Sequence, residues 1–180
     1  VDFDRMALGK FDPVDVPVWG EIGVTADRLM EALPQIPASV DQRVEVAERQ
    51  HLWREEKARR AVRDREEGVS SAALFGALSQ VCPADAVITV DVGNNTYSFG
   101  RYFECRRQSV LMSGYLGSIG FGFPAAMGAW AATQAVDAHR GRAVVCISGD
   151  GGFGQYLAEF TTAVKYGMNI THVLLNNNEL

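Results

Sequence analysis

The amino-acid sequence predicts an α/β fold in which helices flank a parallel β-sheet. Residues 143–148 form an apolar, strand-like run that ends in the glycine turn 149–151 (GDG), and a helical pattern leads from there to a second apolar run over 171–175. This order of strand, glycine turn, helix and strand is typical of a βαβ crossover. Upstream, the β-branched run over 86–90 lies between two helical patterns, so the same alternation occurs twice.

The first 37 residues carry two short apolar stretches, VDFDRMALGKF and PVWGEI, on either side of a Pro and Asp turn. The opening VDFD predicts a strand. Asp2 and Asp4 are expected to be turn carboxylates that face solvent. Thr25 is a candidate N-cap for a helix over residues 26–33. We therefore expect a small strand and helix segment here.

Residues 38–67 are dense in charges of both signs, which predicts a solvated linker helix. Acidic residues neutralise the basic pairs, so the segment does not form a nucleic-acid patch. A weak apolar stripe follows one side of this predicted helix: Val44, Ala47, Trp53, Ala58 and Val62.

The third segment, residues 68–180, begins with a helix that ends at Val81 and is capped by Ser70 or Ser71. The strand over 86–90 then leads into DVGNN, where a second helix starts. A further strand ends at Leu111. The glycine-rich stretch 113–122 follows it, and Pro124 opens a helix of small residues.

The last helical pattern lies between the GDG turn and the final strand. Apolar side chains recur there at helical spacing, and Gly167 is the expected residue after the helix end. The apolar residues are Phe153, Leu157, Phe160 and Val164.

Polar side chains follow both strands of this βαβ unit. Asp150 comes after the first strand and Asn177 after the second, and ligands bind at the carboxyl ends of parallel strands. Gly151 and Gly152 leave backbone N–H groups open to an anion. Magnesium takes few oxygens from protein and the rest from phosphates and water, so the side chains of Asp150 and Asn177 and the backbone carbonyl of Glu179 are the candidate metal ligands. The pattern predicts a diphosphate held through magnesium.

Three motifs resemble those of thiamine diphosphate-dependent enzymes of the acetolactate synthase, pyruvate oxidase and 2-oxo acid decarboxylase type. GDGGFGQYLAEFTTAVKYGMNITHVLLNN resembles the family's GDG…NN cofactor motif, and SGYLGSIGFGFPAAMGAWAA resembles the segment that holds the aminopyrimidine. DVGNNTYSFGRYF lies where the family carries a diphosphate-binding turn. The resemblance covers roughly residues 68–180 and implies thiamine diphosphate and Mg²⁺ as cofactors.

The resemblance implies a role for each motif residue. The carbonyl of Gly117 accepts a hydrogen bond from the 4′-amino group, and Ile119 wedges under the cofactor to hold its rings in a V shape. Acetolactate synthases usually carry Gln-His where this chain has Asn94-Asn95, which leaves the reaction open. The implied cofactor-binding residues are Gly93, Asn94, Asn95, Gly117, Ser118, Ile119, Gly149, Asp150, Gly151, Gly152 and Asn177.

The resemblance also implies a three-domain parent protein that acts on pyruvate or a related 2-oxo acid as a transferase or lyase. Residues 1–37 are then the end of a middle domain, which binds FAD in flavin-containing members, and residues 68–180 are a cofactor-binding domain truncated at its C-terminus. A catalytic glutamate would come from the N-terminal domain of a partner subunit in a homodimer or homotetramer. Neither Glu159 nor Glu179 fills that role, so we expect no catalytic residue in this chain and no activity from it alone.

Two alternatives remain at this point. GDGGFG also fits the G-x-G-x-x-G turn of dinucleotide-binding oxidoreductases, but that motif expects an acidic residue at the end of the next strand, where only Glu179 is available. A non-catalytic interaction module would not need Asp150 and Asn177 together. The three asparagines at 176–178 also suit a plain turn.

Composition limits the remaining classes of function. A net charge of −5 argues against a nucleic-acid surface, and the chain has no apolar run long enough to span a membrane. Three scattered histidines are not assigned to catalysis. The three cysteines fit neither a disulfide framework nor a zinc site, so a reduced, cytoplasmic location is expected.

Overall fold

The computed structural model describes residues 1–33, 41–62 and 68–178. The chain divides into two compact units, Val1–Glu48 and Arg49–Leu180. The segment boundaries expected after residues 37 and 67 stay predictions.

The first unit contains little regular structure at its start. A single parallel bridge joins Asp2 to Trp19 where a strand was expected, so the strand prediction for VDFD is wrong. Apolar alternation over so few residues provides one bridge but no neighbouring strand to extend it. The carboxylates of Asp2 and Asp4 accept backbone N–H bonds from Asp4 and Met6, which confirms them as turn residues.

Helix α1 spans Ile22–Ala32, so it begins earlier than the sequence predicted. Its N-cap is Glu21, whose side chain accepts a hydrogen bond of 2.7 Å from the Val24 N–H group. Thr25 lies inside the helix and donates its hydroxyl to the Glu21 carbonyl at 2.8 Å. The prediction of Thr25 as the cap is wrong because a longer acidic side chain reaches the same orphan N–H groups.

Helix α2 spans Arg43–Ala61, in agreement with the predicted linker helix. Val44 and Val62 of the predicted apolar stripe are exposed, whereas Trp53 is half-buried. Within the second unit the Trp53 indole donates to the Arg101 carbonyl at 3.2 Å and stacks on Tyr102 with ring centroids 6.0 Å apart. Within this unit, one aromatic side chain thus packs the end of α2 against the end of α4, which spans Asn94–Tyr102.

The second unit is built on a four-stranded sheet whose described strands are all parallel. The strand order is β2-β1-β3-β4. The strands are β1 Val87–Val90, β2 Ser109–Met112, β3 Val144–Gly149 and β4 Ile170–Leu175. The predicted α/β fold with a parallel sheet and flanking helices is confirmed.

Helices connect the strands in the way that parallel sheets require. The predicted Ser70 cap is confirmed, since its hydroxyl accepts a 3.1 Å bond from the Ala73 N–H group at the start of the helix before β1. The helices are α3 Ser71–Val81, α4 Asn94–Tyr102, α5 Gly122–Ala135, α6 Asp150–Gln155 and α7 Leu157–Lys165.

The central strands β1 and β3 are buried along almost their whole length, as expected for strands covered on both faces. One apolar cluster packs α3 and α4 on one side of the sheet and includes Phe75 and Phe99. A second packs α5 and α7 on the other side and includes Phe123 and Ala163. This two-sided core fixes the strand ends that carry the polar residues.

The single helix predicted after the GDG turn is two helices, α6 and α7, separated at Tyr156. Phe153 is half-buried, but Leu157 and Val164 are exposed, so the apolar spacing does not describe one buried face. The predicted helix end at Gly167 is confirmed by a Schellman motif, in which Met168 N–H donates to Ala163 O at 2.9 Å and Gly167 N–H to Val164 O at 3.1 Å.

Across the described ranges of the chain, none of the helices has both the length and the apolar character needed to cross a membrane.

Candidate functional site

The register of β3 and β4 brings the two predicted polar residues to one edge of the sheet. Gly149 pairs with Leu175, so both strands end at the same level. Asp150 follows directly as the first residue of α6, and Asn177 comes shortly after β4. The strand ends thus provide a carboxylate and a carboxamide at the carboxyl edge, where α/β sheets bind ligands.

The asparagines after β4 form a local turn. Asn178 has a φ of 56°, in the left-handed region that Asn tolerates, and its N–H group donates to the Asn176 side chain at 3.1 Å. The turn interpretation therefore holds for Asn176 and Asn178. Asn177 lies between them and is exposed.

The metal prediction rests on few protein ligands. Glu179, the third candidate, lies outside the described residues. In the described portion of the chain, three or more His, Cys, Asp or Glu side chains do not come together in a way that could hold a metal. A metal at Asp150 and Asn177 would therefore need most of its oxygens from a phosphate ligand and water, as magnesium sites commonly do.

The turn after β1 contributes Gly93, Asn94 and Asn95 to the same edge of the sheet. Asn95 is only 6% exposed, and its amide donates to the Asp91 carbonyl at 2.8 Å, so this part of its side chain supports the turn itself. Asn94 is exposed at the first position of α4. The expected phosphate contacts of both asparagines stay predictions.

Residues 113–121 form a compact segment outside the helices and strands. Ser113 holds it from within, since its carbonyl accepts from Gly117 N–H and its hydroxyl from Ser118 N–H, each at 3.1 Å. Ile119 is 48% exposed. The predicted pyrimidine-binding residues Gly117, Ser118 and Ile119 therefore lie together on an accessible turn.

Asp91 joins these turns, and the sequence interpretation treated it only as the end of a strand. It is 1% exposed, and one of its carboxylate oxygens accepts from Gly120 N–H at 2.8 Å. A Cβ atom at Gly152 would lie 2.3 Å from its other oxygen. An acidic residue after a buried strand, in a chain with three glycine clusters, is the sequence signal that could have indicated this contact.

His172 was also left without a role, and the structure places it on β4 in the interior. Its Nε2 atom lies 2.7 Å from the Ser148 hydroxyl, and its ring packs on Phe153 with centroids 4.5 Å apart. Burial lowers the pKa of His172, and the negative charge of Asp91 opposes this effect in part. The imidazole is therefore held in its neutral form inside the sheet.

Cys146 lies on β3 and is fully buried. Burial raises the pKa of its thiol to about 12. The thiol thus stays protonated at neutral pH and is a packing group of the core.

A polar cleft of about 780 Å³ lies elsewhere in the second unit. None of the candidate cofactor residues is among its lining residues. The lining residues include Arg59, Arg60, Ser70, Tyr97 and Arg101.

Comparison with known proteins identifies the family. Residues 91–180, half of the chain, match the family described as "Thiamine pyrophosphate enzyme, C-terminal TPP binding domain". The chain belongs to the thiamine pyrophosphate enzyme family. The match begins at Asp91 and includes all three motifs on which the resemblance was based.

Curated relatives of this thiamine pyrophosphate enzyme chain align with nearly all of it. It is 29% identical to an acetolactate synthase of Arthrospira platensis and 28% identical to the acetolactate synthase isozyme 3 large subunit of Escherichia coli. It is 30% identical to the putative thiamine pyrophosphate-containing protein YdaP of Bacillus subtilis. All of this chain is aligned in each comparison, but it spans only 30% or 31% of these relatives' length.

The family match favours the thiamine interpretation of GDGGFG over the dinucleotide one. The end of β4 agrees with this choice, since Leu175 is followed by asparagines where a dinucleotide site expects an acidic side chain.

Proposed function

We propose that this chain binds thiamine diphosphate and Mg²⁺ as part of an enzyme that decarboxylates or ligates 2-oxo acids such as pyruvate. The single observation that carries the proposal is the aligned end of β3 and β4 at Gly149 and Leu175. It brings Asp150 and Asn177 to one edge of the sheet, beside the two glycine turns that complete the family motif.

The donor set fits a metal-bound diphosphate. Asp150 supplies a hard anionic oxygen and Asn177 a neutral one, the ligands that Mg²⁺ prefers. Gly149 and Gly151 on either side of Asp150 carry no side chains that would obstruct a phosphate. In this proposal Asp150 and Asn177 hold the metal, and Gly93, Asn94 and Asn95 contact the outer phosphate.

The segment 113–121 fits the other end of the cofactor. Gly117 offers a backbone carbonyl on an exposed turn, and Ile119 offers an apolar side chain that is about half exposed. In this proposal the Gly117 carbonyl accepts a hydrogen bond from the pyrimidine amino group, and Ile119 packs under the cofactor.

When bound, the cofactor supplies carbanion stabilisation, which is the difficult part of 2-oxo acid chemistry. This chain's residues bind and orient it. The relatives are about three times longer than this chain. In this proposal the activating glutamate, and the residues that bind the acceptor substrate and any flavin, belong to sequence outside it. The names of the relatives favour an acetolactate synthase-like enzyme over an oxidase or decarboxylase. A homodimer or homotetramer is part of the proposal through the family resemblance alone.

Calorimetric titration of thiamine diphosphate into the full-length protein tests the proposal. We expect binding in the presence of Mg²⁺, loss of binding with EDTA, and at least about a hundredfold weaker binding in an Asp150→Ala variant, since a charged metal ligand is removed.

Asp85→Ala is the matched control. It removes the same charge from an exposed position just before β1, at the opposite edge of the sheet, and should leave binding unchanged. A wild-type protein that binds NAD but not thiamine diphosphate would instead support the dinucleotide alternative. Binding of neither ligand would support the non-catalytic module.

A further inference from the structure

Asp91 is an almost completely buried carboxylate with a specific set of contacts. Its Oδ1 atom accepts hydrogen bonds of 2.8 Å from the N–H groups of Val92 and Gly120. Its Oδ2 atom is buried and has no hydrogen-bond partner among the described residues. Burying such a group is costly, so its contacts indicate what the fold gains from it.

The carboxylate packs directly against two backbone segments that have no side chain at the point of contact. A Cβ atom at Gly152 would lie 2.3 Å from Oδ2, and a Cβ atom at Gly122 would lie 2.9 Å from the Asp91 Cβ atom. Both separations are below any real Cβ contact. The glycine residues at 122 and 152 are therefore required by the position of Asp91.

Asp91 joins the segment 113–121 to the end of β1. The N–H groups of Gly117, Ser118 and Phe121 donate to acceptors within the segment and shape it. The Phe121 carbonyl accepts a 3.0 Å bond from Ala125 N–H in the first turn of α5, and the Gly120 N–H bond to Asp91 joins the segment to the end of β1. The turn at 149–152 lies between β3 and α6, as the segment 113–121 lies between β2 and α5.

We propose that Asp91 is a positioning residue that fixes the segment 113–121 against the turn at 149–152 and so sets the distance between the two halves of the cofactor site. This inference rests on the proposed function. The Asp91 side chain is only 1% exposed, so it does not contact a ligand directly. In this proposal it acts by holding Gly120 and Gly152 in place.

The amide and alanine variants of Asp91 should disturb this contact to different degrees. A carboxylate only accepts hydrogen bonds, so Oδ2 can lie against the Gly152 backbone with no donor left unsatisfied. An Asn side chain would keep the oxygen that accepts from Gly120 but would bury an N–H₂ group at the Oδ2 position. Asp91→Asn is therefore a partial replacement and Asp91→Ala a complete loss.

Two ligands separate positioning from general stability. In the proposed site, thiamine diphosphate would contact both turns, whereas inorganic pyrophosphate would contact only the diphosphate side. In the full-length protein with Mg²⁺, Asp91→Ala should weaken thiamine diphosphate binding by at least about tenfold and pyrophosphate binding by less than about threefold. Asp91→Asn should lie between wild type and Asp91→Ala. Equal weakening of both ligands, or of neither, would overturn the positioning role.

Phe75→Leu is the control for stability, because Phe75 is fully buried in the cluster under α3, away from these turns. It should lower stability while leaving the ratio of the two affinities unchanged. A shift of that ratio in Phe75→Leu as large as in Asp91→Ala would show that the ratio reports only stability.

A mutant cycle tests the contact without any ligand. Gly152→Ala should push the carboxylate away from Gly120 and speed hydrogen exchange in 113–121 by about tenfold or more. In an Asp91→Ala background, Gly152→Ala should speed this exchange little further, because the space of the Asp91 carboxylate is then vacant. Gly154→Ala is the matched control, since its Cβ atom would meet nothing within 4 Å.

The two sets of results have separate meanings. A wild-type protein that binds neither ligand overturns the proposed function, and the exchange cycle then decides whether Asp91 holds the two turns together. Additive effects of Gly152→Ala and Asp91→Ala on exchange would overturn the Asp91 role even in a protein that binds thiamine diphosphate.

Discussion

The hydroxyl group of Thr89 donates a 2.8 Å hydrogen bond to the backbone carbonyl of Gly122. Thr89 lies in β1 and is fully buried, and Gly122 is the first residue of α5. This bond joins the central strand to the end of the glycine segment, next to the contact made by Asp91. A side chain of the core thus supports the backbone of the candidate site.

Thr89→Val should reduce the free energy of unfolding by about 1–2 kcal/mol, because the change keeps the volume but removes a buried hydrogen bond. Chemical denaturation of the two proteins measures the difference. Thr161→Val is the control, since Thr161 makes the same kind of bond to Ala158 O on exposed α7. Equal losses in the two variants would contradict a special role for the buried bond.

His172 should make stability depend on pH. Burial lowers its pKa in the folded protein below the ordinary 6.5, so below pH 6.5 the unfolded chain takes up a proton that the folded chain does not. The contribution of neutral His172 to the free energy of unfolding is therefore complete above pH 6.5. It is lost as the pH falls from 6.5 through the pKa of His172 in the folded protein. Urea midpoints at about pH 7.5 and about pH 5.5 should differ less in His172→Gln than in wild type.

Gln at position 172 can still hydrogen-bond to Ser148, so the comparison mainly removes the titration. Exposed His139→Gln serves as the control and should keep the wild-type slope. The prediction fails if His172→Gln loses as much stability on acidification as wild type.

Trp53→Ala should loosen the end of α2 from α4 within the second unit. The change removes the stack on Tyr102, the indole bond to Arg101 O and the cation-π contacts with Arg60 and Arg101. Because Trp53 is half-buried, we expect the free energy of unfolding to fall by about 2 kcal/mol and trypsin to cleave faster within α2. Leu52→Ala, at an exposed neighbouring position, should change neither, and unchanged cleavage in Trp53→Ala would contradict the contact.

Local signals in the sequence predicted much of the fold. Ser70 before an apolar helix and Gly167 after one have direct backbone reasons for their positions, and both were placed correctly. The buried β1 and β3 runs were also recognised, because strands covered on both faces are continuously apolar.

Features that depend on contacts between distant residues were not predictable in the same way. The break at Tyr156 interrupts an unbroken apolar pattern, and the Tyr156 ring fills the space beside Gly120 that a side chain there would need. The cap is Glu21 and not Thr25, because the long Glu21 side chain accepts from the Val24 N–H group at the helix start. Asp91 was identified only as a strand end, since its importance arises from glycines in two other segments.

The central position of β1 has a consequence for how the protein is made. β2 is synthesised soon after β1, separated from it by α4, but the other neighbour of β1, β3, is synthesised only after α5. At about 5–20 residues per second, one side of β1 waits several seconds for its partner. During that interval an apolar strand edge is open to other nascent chains, so the demand on chaperones should be greatest between the synthesis of β2 and that of β3.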